Sequence, residues 1–395
     1  MKSKTVNRKF LLAFQKEKQN VSASELLQAF AEGLDIHLNQ CTITGVLDIN
    51  RLFDTTEKFQ TGKLALTENQ GCKTLTLSQS IVFDKCTFEE NVVFAGPWSE
   101  PDSAAVEFKA DVIFNSSVFK GQARFRNALF RGTAGFDGCA FDGVVTFKNA
   151  LFQADAKFRT TTFNGYCLLG SAVFDASARF ANTHFVKGAN FSEVKFSGQT
   201  DFDGVYSSSR AVPVYDAIVF RQRRYGEDES FWRFVKQSAQ QAGYYQLAGE
   251  CFYNERCARL WKKFRGAAYD GLSPSKKLLR LFSAVRLLPE FIFGRLLFGY
   301  GERPVRVLIA SALIIVLCAF FYSHPGSLAH RDGLDGQSFL QGLYFSTITF
   351  TTLGYGDLYP APNGFSRPVA MAEAVAGGCL MALFVVCLAK RFSRG

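Results

Sequence analysis

Phenylalanine recurs along the middle of this chain with a period that few folds allow. One series occupies every eleventh position from Phe108 to Phe196, and a second runs from Phe114 to Phe202 with Leu169 as its one substitution. Together, 17 of these 18 positions are phenylalanine, at alternating intervals of 6 and 5 residues. Neither a helix, with about 3.6 residues per turn, nor a single flat strand, with a period of about 2, keeps this phase for long. A short unit that turns a corner every five or six residues does, and it points one large apolar side chain inward each time.

Small residues flank this phenylalanine lattice at regular positions. Glycine often stands two residues after a phenylalanine, where a corner requires a permissive backbone. Alanine often stands two residues before one, where a second inward-facing side chain must be small. The glycines are Gly121, Gly132, Gly138, Gly143, Gly165, Gly198 and Gly204, and the alanines are Ala123, Ala128, Ala134, Ala156, Ala178 and Ala189.

The lattice resembles the pentapeptide-repeat family, in its variant with alternating five- and six-residue units. That resemblance implies a right-handed quadrilateral β-helix, a solenoid with four units, or 22 residues, in each coil. We expect this solenoid over residues 35–205. Residues 1–34 are expected to form a helical cap before it, because Ser22 and Glu25 have capping-box spacing at the start of a helix over 22–32.

Charge is distributed unevenly along the chain. Residues 77–205 carry 12 Lys/Arg and 14 Asp/Glu, whereas residues 206–306 carry 18 and 9. A basic block suits nucleic acid or an anionic membrane surface. Its amphipathic pattern and the apolar segment that follows it favour the membrane. We therefore predict a basic helical linker over 206–300, which includes a helix at 291–298 lying in the membrane interface. The near-neutral solenoid argues against the DNA mimicry that some pentapeptide-repeat proteins achieve through acidic surfaces.

Two apolar stretches are long enough to cross a bilayer, which takes about 20 residues. They cover residues 304–323 and 368–389. Strong bases stand before the first stretch, as at Arg303, and after the second, as at Lys390, whereas few stand between them. By the positive-inside rule, we expect both termini of this multi-pass protein to lie in the cytoplasm. The expected location is the inner membrane of a cell.

The segment between the spans contains the sequence Thr-Thr-Leu-Gly-Tyr-Gly-Asp at 351–357. We expect a pore helix and filter over 337–357, in which a short helix enters the membrane part-way and non-helical backbone follows. Such backbone is tolerated at membrane depth only inside protein or along a watery path. A dehydrated K⁺ ion needs a cage of oxygens, which a strand supplies if its carbonyls all face one axis. Gly354 and Gly356 tolerate the unusual dihedral angles that this requires, and Thr352 adds a hydroxyl oxygen.

The region 301–395 resembles the pore of potassium channels of the two-transmembrane bacterial type. The resemblance implies an all-α pore domain with a re-entrant loop, assembled as a homotetramer around one filter. Tyr355, where non-selective relatives carry aspartate, favours K⁺ over Na⁺ and points away from the axis. Some relatives pair the position of Asp357 with a glutamate in the pore helix, but this chain has Ile348 there, so that clamp is absent. The filter residues are Thr352, Leu353, Gly354, Tyr355 and Gly356, and the carbonyls of the first four line the K⁺ sites.

Other residues are predicted to support or gate the pore. Thr351 and Asp357 flank the filter. Glu373 is a carboxylate inside the second span, where such groups are costly and often functional; it supports the pore helix, senses pH or simply bonds to the helix end. Gly377 and Gly378 match the hinge of the family's inner helix, and the alternative is close packing of helices at small residues. An apolar ring at the inner mouth would close the pore by dewetting. Its candidates are Met381, Val385 and Ala389.

We therefore expect a channel that conducts K⁺ passively and is not an enzyme, since no catalytic constellation or phosphate loop is apparent. K⁺ is the transported ion, and no cofactor is expected. The expected partners are further copies of the chain and a bilayer that includes anionic lipids, with no nucleic acid. The solenoid is expected to serve regulation or assembly, and a cytoplasmic protein or small ligand would be its regulator. The alternative is a membrane-tethered interaction scaffold whose pore does not conduct.

Overall fold

A computed structural model of the protein describes residues 13–53, 64–69, 72–95, 104–208, 211–266, 269–330, 338–362 and 365–392. Its contacts divide the chain into two units, Met1–Asp270 and Gly271–Gly395. The first unit is built mainly from short parallel strands, and the second is helical. This division follows the sequence, since the phenylalanine lattice lies in the first unit and both apolar stretches lie in the second.

The first unit is a solenoid whose strands stack into four sheets. In its regular part, the partner of a strand comes 22 residues later, as where Ala134 pairs with Ala156 and Phe141 pairs with Phe163. Two-residue strands suffice because each coil bonds to the coils on either side of it. The four-sided β-helix that the resemblance to pentapeptide repeats implied is confirmed.

The strands are grouped by sheet. The first sheet contains Ala13–Glu17, Asp35–Asn39, Ile81–Asp84, Val112–Ile113, Ala134–Gly135, Ala156–Lys157, Ala178–Arg179 and Thr200–Asp201. The second contains Asn20–Ser22, Thr42–Thr44, Thr87–Phe88, Val118–Phe119, Ala140–Phe141, Thr162–Phe163, His184–Phe185 and Tyr206–Ser207. The third contains Leu47–Asp48, Val92–Val93, Ala123–Arg124, Val145–Thr146, Tyr166–Leu168 and Gly188–Asn190. The fourth contains Leu64–Asn69, Cys72–Leu77, Ala104–Phe108, Leu129–Phe130, Leu151–Phe152, Val173–Phe174, Lys195–Phe196 and Val219–Phe220.

The lattice phenylalanines fill the interior of the solenoid. Each of them is at most 1% exposed, and rings of successive coils stack face to face. The Phe136 and Phe158 centroids are 5.1 Å apart with ring planes 4° from parallel, and those of Phe152 and Phe174 are 4.6 Å apart. Such pairs add to the burial of apolar area. The alanines that were expected to face inward are buried as well.

The corners are of two kinds, which the spacing alone did not distinguish. After the second phenylalanine series, the backbone turns through a residue of positive φ, as at Gly138 (+68°) and Asn149 (+57°). After the first series, the corner glycines lack space for a side chain. A Cβ atom on Gly165 would lie 2.1 Å from the Gly143 carbonyl oxygen of the neighbouring coil. The first kind of corner needs a left-handed backbone, and the second needs a close approach of two coils.

The start of the chain differs from the predicted helical cap. Helix α1 (Ala23–Ala31) forms as expected, with the Ser22 hydroxyl accepting the Glu25 amide at 3.2 Å. However, strands Ala13–Glu17 and Asn20–Ser22 precede it and pair with the next coil. This segment is therefore a coil of the solenoid with a helix inserted. The phenylalanine spacing did not predict these two strands, because they lie before the first phenylalanine of the lattice. The rest of the predicted cap, residues 1–12, lies outside the described residues.

Two helices close the far end of the solenoid, α2 (Glu229–Gln241) and α3 (Tyr245–Phe264). The Phe231 ring of α2 contacts those of Phe191 and Phe202, with centroids 5.7 and 5.2 Å away. These contacts cover aromatic rings of the last coils that would otherwise face solvent, so α2 acts as a lid on the core.

The predicted start of the basic linker, residue 206, falls inside this first unit. Strand Val219–Phe220 still pairs with the fourth sheet. Beyond it, ion pairs join the two helices to the last coil. Arg233 bonds to Asp203 at 2.9 Å and to Glu229 at 2.9 Å. Much of the positive charge that was assigned to a linker therefore neutralises carboxylates within this unit.

The second unit contains two helices that are long and apolar enough to cross a membrane, Pro304–Tyr322 and the stretch Ser366–Lys390. The predicted interfacial segment forms a π-helix, none of whose side chains is buried. A short antiparallel pair joins Leu328–His330 to Leu358–Pro360. The helices of this unit are α4 (Pro274–Ser283), a 3₁₀ turn (Ala284–Leu287), the π-helix (Glu290–Leu297), a 3₁₀ turn (Gly299–Gly301), α5 (Pro304–Tyr322), α6 (Phe339–Phe350) and α7 (Ser366–Phe392).

Candidate functional site

The helix α6 carries the filter sequence at its C-terminal end. It begins after Ser338, whose hydroxyl accepts the Gln341 amide while the Gln341 side chain accepts the Ser338 amide. This reciprocal capping box fixes where the helix starts. Gly342 lets α6 lie close to α5, since a Cβ atom there would be 2.5 Å from the Ala319 carbonyl oxygen. Residue 337, the predicted start of this segment, lies outside the described residues.

The backbone after α6 alternates between left-handed and right-handed conformations. φ is +60° at Thr352, +50° at Gly354 and +80° at Gly356, and it is not positive at Leu353 or Tyr355. An ordinary strand keeps φ negative at every residue and points successive carbonyls to opposite sides, so this segment is not an ordinary strand. Glycine adopts positive φ easily. A threonine does so at a cost of about 1–2 kcal/mol, so the surroundings must hold it there.

The filter residues have few neighbours within their own chain. A Cβ atom on Gly354 or Gly356 would meet no atom within 4 Å, and the Leu353 and Tyr355 side chains are 61% and 69% exposed. The Thr352 hydroxyl donates to the Thr351 carbonyl at 2.7 Å. The contacts of these residues within one chain are therefore few, and their predicted role as one wall of an ion path stays a prediction.

Asp357, predicted to support the filter, accepts a hydrogen bond from the Tyr344 hydroxyl at 2.9 Å. Tyr344 lies one helical turn before Ile348, the position where a glutamate was sought, so the partner comes from the same face of α6. Ile348 instead packs in a buried cluster with Tyr322 and Phe345. Tyr344 was not predicted from the sequence, because only the position of Ile348 was compared with the family. The available signal was a polar residue one helical turn before Ile348.

Glu373 joins three helices behind the filter. It is 2% exposed, and the Tyr322 hydroxyl of α5 donates to one of its oxygens at 2.9 Å. The Ser346 hydroxyl of α6 donates to the other oxygen and also lies 2.9 Å from the Ile315 carbonyl oxygen. Tyr322 and Ser346 were not identified from the sequence. Tyr322 could have been noticed as a polar side chain at the end of the apolar helix α5, whereas Ser346 is one of several polar residues of α6 and nothing in the sequence distinguishes it.

The two adjacent glycines of α7 have different surroundings. A Cβ atom on Gly377 would lie 2.0 Å from the Phe350 carbonyl oxygen at the end of α6, whereas one on Gly378 would meet no atom within 4 Å. Close packing therefore accounts for Gly377, while the hinge role of Gly378 stays a prediction. The three candidates for the inner gate are exposed in the single chain, and their role also stays a prediction. They are Met381, Val385 and Ala389.

Comparison with known proteins gives three matches. Residues 309–394 match a family model described as an ion channel, and residues 114–162 and 158–205 match one described as pentapeptide repeats. The two pore potassium channel b of Oryza sativa subsp. japonica is 33% identical over 93 residues, which cover 22% of this chain and 25% of that protein. The chain thus spans about a quarter of that relative's length. No solved structure matches this chain.

The two family matches agree with the two units of the structure. The chain carries an ion channel domain at its C-terminal end and pentapeptide repeats N-terminal to it. The channel match begins within the first apolar helix and includes the loop with alternating φ values and the second apolar helix. The pentapeptide match covers the regular part of the β-helix. The protein is accordingly a membrane protein with an ion channel domain.

Proposed function

We propose that four copies of this chain form a pore that conducts K⁺ selectively and passively across a membrane. The observation that carries this proposal is the alternation of φ from Thr352 to Gly356, in a loop between two membrane-capable helices. Carbonyl oxygens turned to one side can replace the water shell of K⁺ when several copies face each other. The potassium channel among the matches supports K⁺ as the ion.

In this pore, K⁺ would bind to rings of carbonyl oxygens and, at the innermost site, to the Thr352 hydroxyls. Asp357 would be held by Tyr344, and Glu373 would fasten the pore helix to both spans. The ion is cargo, so the proposed function needs no cofactor and no catalytic step. The carbonyls that would line the sites belong to Thr352, Leu353, Gly354 and Tyr355.

The test is ion flux in liposomes that contain the purified chain, under a K⁺ gradient and then a Na⁺ gradient. We expect K⁺ flux without Na⁺ flux. Gly356→Ala should abolish it, because an alanine at φ +80° is strained and would distort the carbonyl array. Gly326→Ala is a matched control, since Gly326 also has φ +80° and open space around it but lies outside the filter. Equal loss in both variants would contradict a specific role of the filter.

The alternative is a membrane-tethered scaffold whose pore does not conduct. The exposed outer faces of the β-helix suit a docking role. A scaffold, however, would not require a threonine of the filter loop to adopt a left-handed conformation. Absence of K⁺ flux under every condition, with a folded tetramer, would favour the scaffold.

We further propose that the β-helix is cytoplasmic and regulates or assembles the channel. The structure indicates where to cut for a test. A deletion of residues 1–205 would leave α2 and its Phe231 without the coils that they cover, whereas a deletion of residues 1–270 removes the whole first unit. Unchanged open probability and unchanged tetramer formation in the latter variant would contradict both roles.

The segment from α4 to the π-helix would rest on an anionic membrane surface on the cytoplasmic side of a cell's inner membrane. Leu279 and Phe282 of α4 are 71% and 67% exposed, and the helical spacing places Lys277 and Arg280 on the side of the helix away from Phe282. Such a helix places its apolar side in the bilayer and its bases near lipid phosphates. Flux that is independent of the fraction of anionic lipid in the liposomes would contradict this placement.

A further inference from the structure

The C-terminal end of α7 is bonded to the turn that precedes α5. The Lys390 ammonium group lies 2.6 Å from the Glu302 carboxylate and donates to the Tyr300 carbonyl at 3.1 Å. The two charged side chains are 29% and 13% exposed, so water screens this pair less than a surface pair. Lys390 directly follows Ala389, the last of the gate candidates.

The turn that receives Lys390 has an unusual backbone. Gly299, Tyr300 and Gly301 have φ values of +55°, +54° and +86°, three left-handed residues in succession. A Cβ atom on Gly301 would lie 3.3 Å from the Lys390 side chain, so the lysine packs along the turn. A tyrosine in this conformation is strained, and such strain persists only where the surroundings hold it. The bond from Lys390 to the Tyr300 carbonyl is one such restraint.

Apolar contacts continue the connection beyond the ion pair. Leu297, the last residue of the π-helix, packs against a buried cluster that includes Leu380 and Cys387 of α7. The same cluster contains Phe350, the last residue of α6, which is followed directly by the filter segment. The segment before α5, the end of α7 and the base of the filter helix therefore share one packed region.

We propose that Glu302 and Lys390 form a latch that couples the segment before α5 to the gate end of α7. While the pair is closed, a movement of the π-helix is passed to the last turns of α7, and once it is open the two move independently. Both act as positioning residues, because their contacts are with each other and with the Tyr300 carbonyl and neither belongs to the filter segment. The latch rests on the proposed channel function only for its effect on conduction.

The test is a charge-swap cycle on the full chain in planar bilayers, with open probability as the readout. Glu302→Lys and Lys390→Glu should each change the open–closed equilibrium about tenfold in the same direction. The double swap should recover most of the wild-type value, and Lys390→Arg should retain it. Glu250→Lys makes the same charge change at an exposed position of α3 and should leave open probability unchanged. K⁺ selectivity should be unaltered in all of these variants.

Additive effects in the double swap, or no effect of either single reversal, would overturn the latch. A wild-type protein that carries no current would instead contradict the proposed channel function. In that case, hydrogen exchange of residues 383–392 in liposomes tests whether the latch exists. Faster exchange in both single variants and recovery in the swap would support it. Equal exchange in all three variants and the wild type would overturn it.

Discussion

The β-helix and the filter loop obtain their neighbours in opposite ways. A core phenylalanine such as Phe147 finds its stacking partners in its own chain, with Phe125 at 5.0 Å and every side of the ring buried. The filter residue Tyr355 is 69% exposed within its chain. Repetition along one chain therefore completes the solenoid core, whereas only repetition of the whole chain could complete the filter.

The two regions also use glycine differently. In the solenoid, a corner glycine such as Gly165 makes room for the next coil, and the same demand recurs in several coils. In the filter, Gly354 and Gly356 have room for a side chain but need a left-handed backbone. Damage in a repeated array is local because each coil contacts only its neighbours. In the proposed tetramer, damage in the filter would occur in every copy around a single path.

The largest effect that would sharpen this comparison is expected for Phe147→Ala. Loss of a fully buried ring should lower the free energy of unfolding of the first unit by about 3–5 kcal/mol, measured by urea denaturation. Ion selectivity should not change, because the filter lies in the other unit. Tyr166→Ala, which truncates a ring that is 52% exposed on the same solenoid, should change stability by less than about 1 kcal/mol. Altered selectivity in the Phe147 variant would break the separation of the two regions.

A smaller effect is expected from the paired glycines of α7, which test whether the pore unit also depends on close packing. Gly377→Ala should reduce K⁺ flux about tenfold, because the added methyl group would force α7 away from the Phe350 carbonyl. Gly378 has open space around it, so the K⁺ flux through Gly378→Ala should stay within about twofold of the wild-type flux if that residue is not a hinge. Rates of K⁺ efflux from liposomes provide the measurement. A larger loss of K⁺ flux in Gly378→Ala would support the predicted hinge role of Gly378.

The smallest effect concerns the lid that α2 and α3 form on the solenoid. Burial alone would raise the pKa of Glu229, but the hydrogen bond from Arg259 and the charge of Lys262 hold it below its usual 4.5. A lowered carboxylate pKa stabilises the fold above about pH 4.5, and this stabilisation is lost as the pH falls through the lower, folded-state value. The urea midpoint of the first unit should therefore fall in acid.

The matched variant for this prediction is Glu229→Gln, which removes the titrating group. Its midpoint should be lower than that of the wild type at neutral pH and should depend less on pH in the acid range. An equal acid dependence in both proteins would assign the pH effect to other carboxylates.

Much of the fold could be predicted because its signals are periodic. The 11-residue phenylalanine step predicted a chain that turns a corner every five or six residues, the family resemblance implied that the solenoid has four sides, and the apolar stretches predicted the two long helices. Prediction failed at the two ends of the array. The strand Ala13–Glu17 and the lid helix α2 belong to the solenoid through contacts that no repeat marks.

The candidate site divides in the same way. The filter segment could be identified from the sequence, since a short run of residues dictates its backbone. The partners of Asp357 and Glu373 were not predicted, because Tyr344, Tyr322 and Ser346 lie on other turns or other helices. In the sequence, Glu302 lies before the pore segment and Lys390 lies after it. No local sequence pattern predicts an ion pair between residues so far apart.

The sequence by itself determined where the coils turn and which segments can cross a membrane, and it predicted which residues form the filter. These features depend on dihedral preferences and apolar spacing, which act over a few neighbouring residues. Only the tertiary structure decided what closes the solenoid, which hydroxyls bond to Glu373 and Asp357, and which lysine is bonded to the turn before α5. Those choices depend on how whole elements pack, because a hydrogen bond or ion pair forms only between groups that packing brings within about 3 Å of each other.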